Sequence, residues 1–149
     1  MSGRQPIVLP AGVYVATFRL LSRLYAACGL CLGLVLILGG RVRFGSRAFD
    51  TLRAVPGGVG TWGAIGLAGG AVMLAGSLAG RVRPLQVGAG VLVGWHLFFA
   101  LTFTVAAVRT GTTSLTGCVT YVACAAWGGL MLSALREARR PAGPGAAGE

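Results

Sequence analysis

Few side chains in this sequence are equipped for chemistry, and their positions restrict what that chemistry can be. His96, beside Trp95, is the single histidine and the one ionisable group deep inside a long apolar run. An ionisable group at such depth is costly and is often kept as a proton relay or a ligand contact. A relay wants an acidic partner, however, and the acids Asp50, Glu137 and Glu149 all stand outside the apolar runs. A neutral imidazole, held by a hydroxyl such as Thr102, Thr104, Thr116 or Tyr121 on its own or a neighbouring helix, fits better. Cys28-Gly-Leu-Cys31 has the C-x-x-C spacing, and Cys118 and Cys124 bring the thiols to four. Redox pairs of this form open a helix that follows a strand, in water, and structural zinc sites occupy polar loops. All four cysteines here lie within apolar runs, where thiols behave as small hydrophobes. Gly58-Val-Gly-Thr-Trp-Gly63 matches G-x-G-x-x-G, yet no strand precedes it and no suitably placed acid follows, so a dinucleotide site is not expected. Three acids and one histidine cannot assemble a carboxylate pair, a Ser/His/Asp set or a metalloprotease motif. Neither catalysis nor a metal nor any other cofactor is expected.

The elements that must carry these residues are apolar helices. Of the 149 residues, 55% are strongly hydrophobic and only 11% are charged, against roughly 25% charged in an ordinary soluble domain. The first apolar run, Leu20 to Gly40, reaches roughly 30 Å as a helix, about one hydrocarbon thickness. Before it, Val13 to Leu24 places Arg19 and Arg23 four residues apart on one face beside Tyr14 and Phe18, a pattern for an interfacial lead-in helix whose arginines reach headgroups. Between Arg41 and Gly60, Ser46 is placed to cap a short surface helix carrying Phe49, Leu52 and Val55, which must stop before Pro56. Trp62 then stands at the mouth of a second span, where amphipathic rings favour the headgroup level. Further runs follow after the tight turns at Gly80 to Pro84 and Arg109 to Thr113. The fold expected is all-α: one integral membrane bundle over residues 1–140, with spans at about 20–40, 61–79, 85–108 and 114–135, and a disordered tail over 141–149. No cleavage site follows the first run, so a secretory leader is not expected.

Thirteen arginines and no lysine bring the net charge to +10. Such a balance in a soluble protein would suggest nucleic acid, but these arginines bracket apolar runs, where cations hold helices against anionic headgroups. The expected partner is therefore an anionic bilayer and not nucleic acid. Four spans put both termini on one side, with Arg4, Arg19, Arg23, Arg81, Arg83, Arg136, Arg139 and Arg140, eight arginines against five on the other. The positive-inside rule then favours cytoplasmic termini in the cell membrane.

Helices in lipid associate through small residues that let backbones approach. Every span offers such a seam: Gly29 and Gly33 in the first, Gly66, Gly70, Gly76 and Gly80 in or just after the second, Gly90 and Gly94 in the third, and Thr116, Thr120, Cys124 and Gly128 in the fourth. These positions serve packing within the bundle or contacts with another chain. The second span carries more small residues around its circumference than one neighbour requires, which points to a homo-oligomer or another membrane protein as partner. For self-association, Gly66 and Gly70 are the foremost candidates.

The segment Arg53-Ala-Val-Pro-Gly-Gly58 running into Thr61-Trp-Gly63, followed by two spans in a short hairpin and a terminal arginine cluster, resembles small four-span membrane proteins of actinobacterial phages. An absence of Lys and Asn beside 26 Gly is also what a very GC-rich genome writes. The likeness covers about the last two-thirds of the chain. It implies a holin-like, membrane-perturbing role exercised by oligomerisation, and it carries no catalytic residue across. The alternative is a non-lytic accessory membrane protein, such as a superinfection-exclusion factor or a partner-binding subunit; a small transporter would want broken helices and polar midplane groups.

Overall fold

The computed structural model describes residues 11–39, 49–54, 57–111 and 115–137. Four long helices dominate: α1 (Ala11–Leu38), α3 (Gly58–Leu78), α4 (Val82–Thr110) and α5 (Leu115–Glu137), with a short α2 (Asp50–Arg53) between the first two. Each long helix is apolar and long enough to cross a bilayer, and no strand occurs among the described residues. The chain is a small integral membrane protein with an all-helical bundle fold.

The lead-in and the first span are one continuous helix. Nothing between Tyr14 and Leu38 breaks the backbone hydrogen bonding, and 28 residues extend about 42 Å, roughly 12 Å more than a hydrocarbon core. A surplus of that size is taken up by tilt or by an end of the helix reaching the headgroups. α4 begins before Pro84 and not after it, because a proline in the first turn replaces an amide that has no helical partner anyway. Two tight reversals depend on left-handed glycines: Gly80 (φ +63°) turns α3 into α4, and Gly111 (φ +64°) closes α4.

The short helix of the first loop is only partly a surface element. Asp50, Arg53 and Ala54 are exposed, with Arg53 paired to Asp50, but Phe49 tucks edge-on against Phe103 of α4 at 5.5 Å. Ser46, Val55 and Pro56, as well as the tail 141–149, lie outside the described residues.

Helices adjacent in sequence pack antiparallel, and the seams are built from small residues. Along α1 and α3, a β-carbon on Gly33 would lie 2.7 Å from the Gly63 carbonyl oxygen and from the Leu67 amide nitrogen, and one on Gly70 would lie 2.8 Å from the Ala26 carbonyl oxygen. The Ser22 and Ser77 hydroxyls meet at 3.2 Å further along the same seam. Along α3 and α4, a β-carbon on Gly76 would strike the Leu85 amide nitrogen, and one on Gly88 would collide with the Met73 amide nitrogen and come within 2.7 Å of the Gly69 carbonyl oxygen. Backbones this close gain dispersion contacts that larger side chains would forbid. The seam of α4 with α5 is aromatic, with Phe103 against Gly117 and Tyr121.

Candidate functional site

The interior of the bundle divides into an apolar layer, an aromatic layer and a polar contact between them. Tyr25, Ala26, Met73, Leu85, Ala89, Leu92, Met131 and Leu135 form the apolar layer. The aromatic layer centres on Trp95 and Phe99, whose rings are 4.6 Å apart, with Trp62, Phe98 and Tyr121 around them. Trp62 stacks on Phe98 at 3.8 Å and its carbonyl accepts the Trp95 indole N–H at 2.8 Å. Its own indole nitrogen is buried, with no partner among the described residues. Trp62 thus turns inward onto α4 instead of presenting its N–H to headgroups, because a stack of aromatic rings buries more of its surface than the interface would.

His96 is fully enclosed (0% exposed) where these layers meet. Its Nδ1 lies 2.7 Å from the Leu92 carbonyl oxygen and 3.1 Å from the Tyr25 hydroxyl. A carbonyl can only accept, so the shorter contact requires the proton on Nδ1, which donates to Leu92 and leaves the Tyr25 oxygen as a second, longer acceptor. Nε2 is buried and without a partner among the described residues. The imidazole lies nearly parallel to the Tyr25 ring, with centroids 5.4 Å apart. A hydroxyl does hold His96, but it comes from α1. The hydroxyls of Thr102 and Thr104 instead donate back to the Phe99 and Ala100 carbonyls of their own helix. Tyr121 meets the imidazole only ring to ring, at 6.0 Å.

Tyr25 was not singled out by sequence reasoning, although a signal existed. It lies one residue from Ala26 and three or four from Ser22 and Gly29, on the small-residue side of α1, and that side must face the bundle. Gly128 on α5 completes its seat, since a β-carbon there would lie 2.6 Å from the Tyr25 hydroxyl. Three helices therefore converge on one phenol.

The remaining candidates separate by face. Gly66 and Gly70 are buried against Trp95 of α4 and the backbone of α1, and Gly76 against the start of α4, so these three glycines of α3 are occupied by neighbours within the chain, while Gly60, Ala64, Ala68, Ala71 and Ala75 are exposed. Gly80 makes the turn. Gly90 and Gly94 are exposed, with nothing within 4 Å of an added β-carbon. All four cysteines are free thiols; Cys28 is half-buried while Cys31 points outward, and Cys118 meets the Thr104 hydroxyl. Among the described residues no three of His, Cys, Asp and Glu gather closely enough to hold a metal ion.

A recess opens at the end of the bundle where α1 begins, α3 turns into α4, and α5 ends. It has a volume of about 510 Å³ and is walled by Phe18, Arg19, Ser22, Ser77, Arg81 and Leu85, among others. Comparison with known proteins returned no matching family model, no similar curated protein and no similar solved structure.

Proposed function

We propose that this membrane protein acts by association within the bilayer, in the first place with copies of itself, and that its role is holin-like and membrane-perturbing. The observation that carries this reading is the outward face of α4. Val87, Gly90, Gly94, Leu97 and Leu101 share that face and are exposed, with the two glycines forming a notch between larger side chains. A notch of this kind admits a second backbone closely, as small-x-x-x-small pairs do in lipid. Gly66 and Gly70 are already engaged inside the chain, so Gly90 and Gly94 replace them as the proposed contact.

The polar interior supports a non-catalytic role. His96 is tied to a backbone carbonyl and a phenol, and the one acid within the described long helices, Glu137, stands at the far end of α5. An agent that works by crowding and assembling helices needs no more chemistry than this, and the arginines at the helix ends keep it in an anionic membrane.

The test is overproduction in a bacterium with a potential-sensitive dye as readout. Wild-type protein is expected to depolarise the cells and, with an endolysin present, to lyse them abruptly. Changing Gly90 and Gly94 together to Ile is expected to weaken cross-linked oligomers and delay depolarisation at equal protein levels. Should correctly inserted wild-type protein leave the potential intact, the holin-like reading fails and an accessory, partner-binding role takes its place.

A further inference from the structure

The recess at the arginine-rich end has the composition of a site for an anionic amphiphile. Its walls are mostly apolar, from Phe18 of α1, Leu85 of α4 and Leu135 of α5, and two arginines line it, Arg19 from α1 and Arg81 from the turn before α4. Neither guanidinium has an acidic partner among the described residues. Glu137, the acid described at this end, does not line the recess. Deeper in, Ser22 and Ser77 are buried, 1% and 7% exposed, and hydrogen-bonded to each other. The volume of about 510 Å³ falls in the roughly 300–1,000 Å³ range of small-molecule sites.

Position in the bundle narrows the occupant further. Arg19 lies about two turns from the start of α1, a helix about 42 Å long, so it stands near an end of the apolar span and not at its middle. Arg81 lies in the turn before α4, at the same end. A soluble anion would gain nothing from the apolar walls, and a neutral lipid would leave both cations uncompensated. We infer that this recess binds an anionic phospholipid, its phosphate between Arg19 and Arg81 and the upper part of an acyl chain against Phe18, Leu85 and Leu135. Basic recesses between membrane helices are a recurrent way of holding such headgroups.

Native mass spectrometry of the full chain, released from neutral detergent, tests this with phosphatidylglycerol, phosphatidylcholine or inorganic phosphate added. A retained one-to-one adduct is expected with phosphatidylglycerol only. Arg19→Gln together with Arg81→Gln is expected to weaken that adduct at least about tenfold, while Arg53→Gln with Arg109→Gln, at the opposite end, leaves it unchanged. Ala134→Trp keeps every charge but places a large ring at an exposed position on the cavity wall, and it too is expected to lose the adduct. Retention of the adduct by Ala134→Trp would overturn the site, because attraction would then be spread over the basic surface. Equal binding of phosphatidylcholine would overturn the preference for an anionic lipid, and equal binding of phosphate would replace the lipid with a free anion.

Discussion

A buried polar atom in a membrane bundle has no water to fall back on, so the fate of each one is a test of how a residue is used. The His96 imidazole satisfies Nδ1 twice over and Nε2 not at all among the described residues. Because Nδ1–H already donates to Leu92, Tyr25→Phe removes only the longer contact and the seat of a hydroxyl at Gly128. We expect it to cost about 0.5–1.5 kcal/mol and to leave the helical circular dichroism intact. His96→Leu is expected to cost more, about 1–3 kcal/mol, because the Tyr25 hydroxyl is then left in an apolar pocket. His96→Gln, whose amide can donate to the same carbonyl, should preserve expression and depolarisation. Thermal unfolding in detergent ranks the three variants, and complete loss of activity by His96→Gln at normal protein level would show that His96 moves protons after all. The absence of an acid in its span leads to the expectation of a neutral His96 held by a hydroxyl, and a hydroxyl, that of Tyr25, does lie 3.1 Å from Nδ1. Which hydroxyl was not legible, because Tyr25 is 71 positions from His96 in the chain and only the packing of α1 in the bundle brings the two together.

At the scale of elements, the same residue type takes opposite roles on one helix. Gly88 and Gly90 are two residues apart on α4, yet Gly88 touches the α3 backbone and Gly90 touches nothing. Gly88→Ala therefore forces α3 and α4 apart, since the clash is with a backbone amide and a carbonyl that no rotamer change can relieve. Gly90→Ala should be neutral or gain up to about 1 kcal/mol from the better helix propensity of alanine. Comparing the thermal midpoints of the two variants in the same detergent checks this, and a Gly88→Ala as stable as wild type would mean that the hairpin packs less closely than described. The glycine spacing announced that seams exist, but not their register. Gly33 meets Gly63, and Gly70 meets Ala26, because antiparallel packing pairs positions whose numbers sum to a constant, and that constant depends on the length of the intervening loop.

For the whole molecule, helix directions bring the start of α1, the α3–α4 turn and the end of α5 to one end of the bundle, with Arg19, Arg23, Arg81, Arg83 and Arg136 there and Arg53 and Arg109 at the other. If the richer end is cytoplasmic, as the positive-inside rule favours, reporter fusions after Arg53 and after Arg140 will read opposite sides. Both fusions reading the same side would break the four-span topology. Fewer than half the residues in each span's most apolar window are buried within the chain, down to 22% in α5, and Leu130 there is 68% exposed. Lipid or another chain must cover that surface, which is why association is the activity proposed.

Composition and periodicity alone determined that this chain spans a membrane four times. Apolar runs about one bilayer thick, closed by arginines, have no other stable disposition, since a helix satisfies its backbone internally wherever it lies. The long helices begin and end within a few residues of those runs, except at the start of α1. Only the tertiary structure decided which small residues are spent inside the bundle and which remain outside. Gly66 and Gly94 belong to motifs of the same form, and the sequence cannot rank them. The reason is that lipid tails are as apolar as the core, so hydrophobic patterning, which tells the inside of a soluble protein from its outside, carries little such information in a bilayer. The recess between Arg19 and Arg81 was hidden for a related cause. It joins residues 62 positions apart, brought together by the α1–α3 seam and the turn at Gly80.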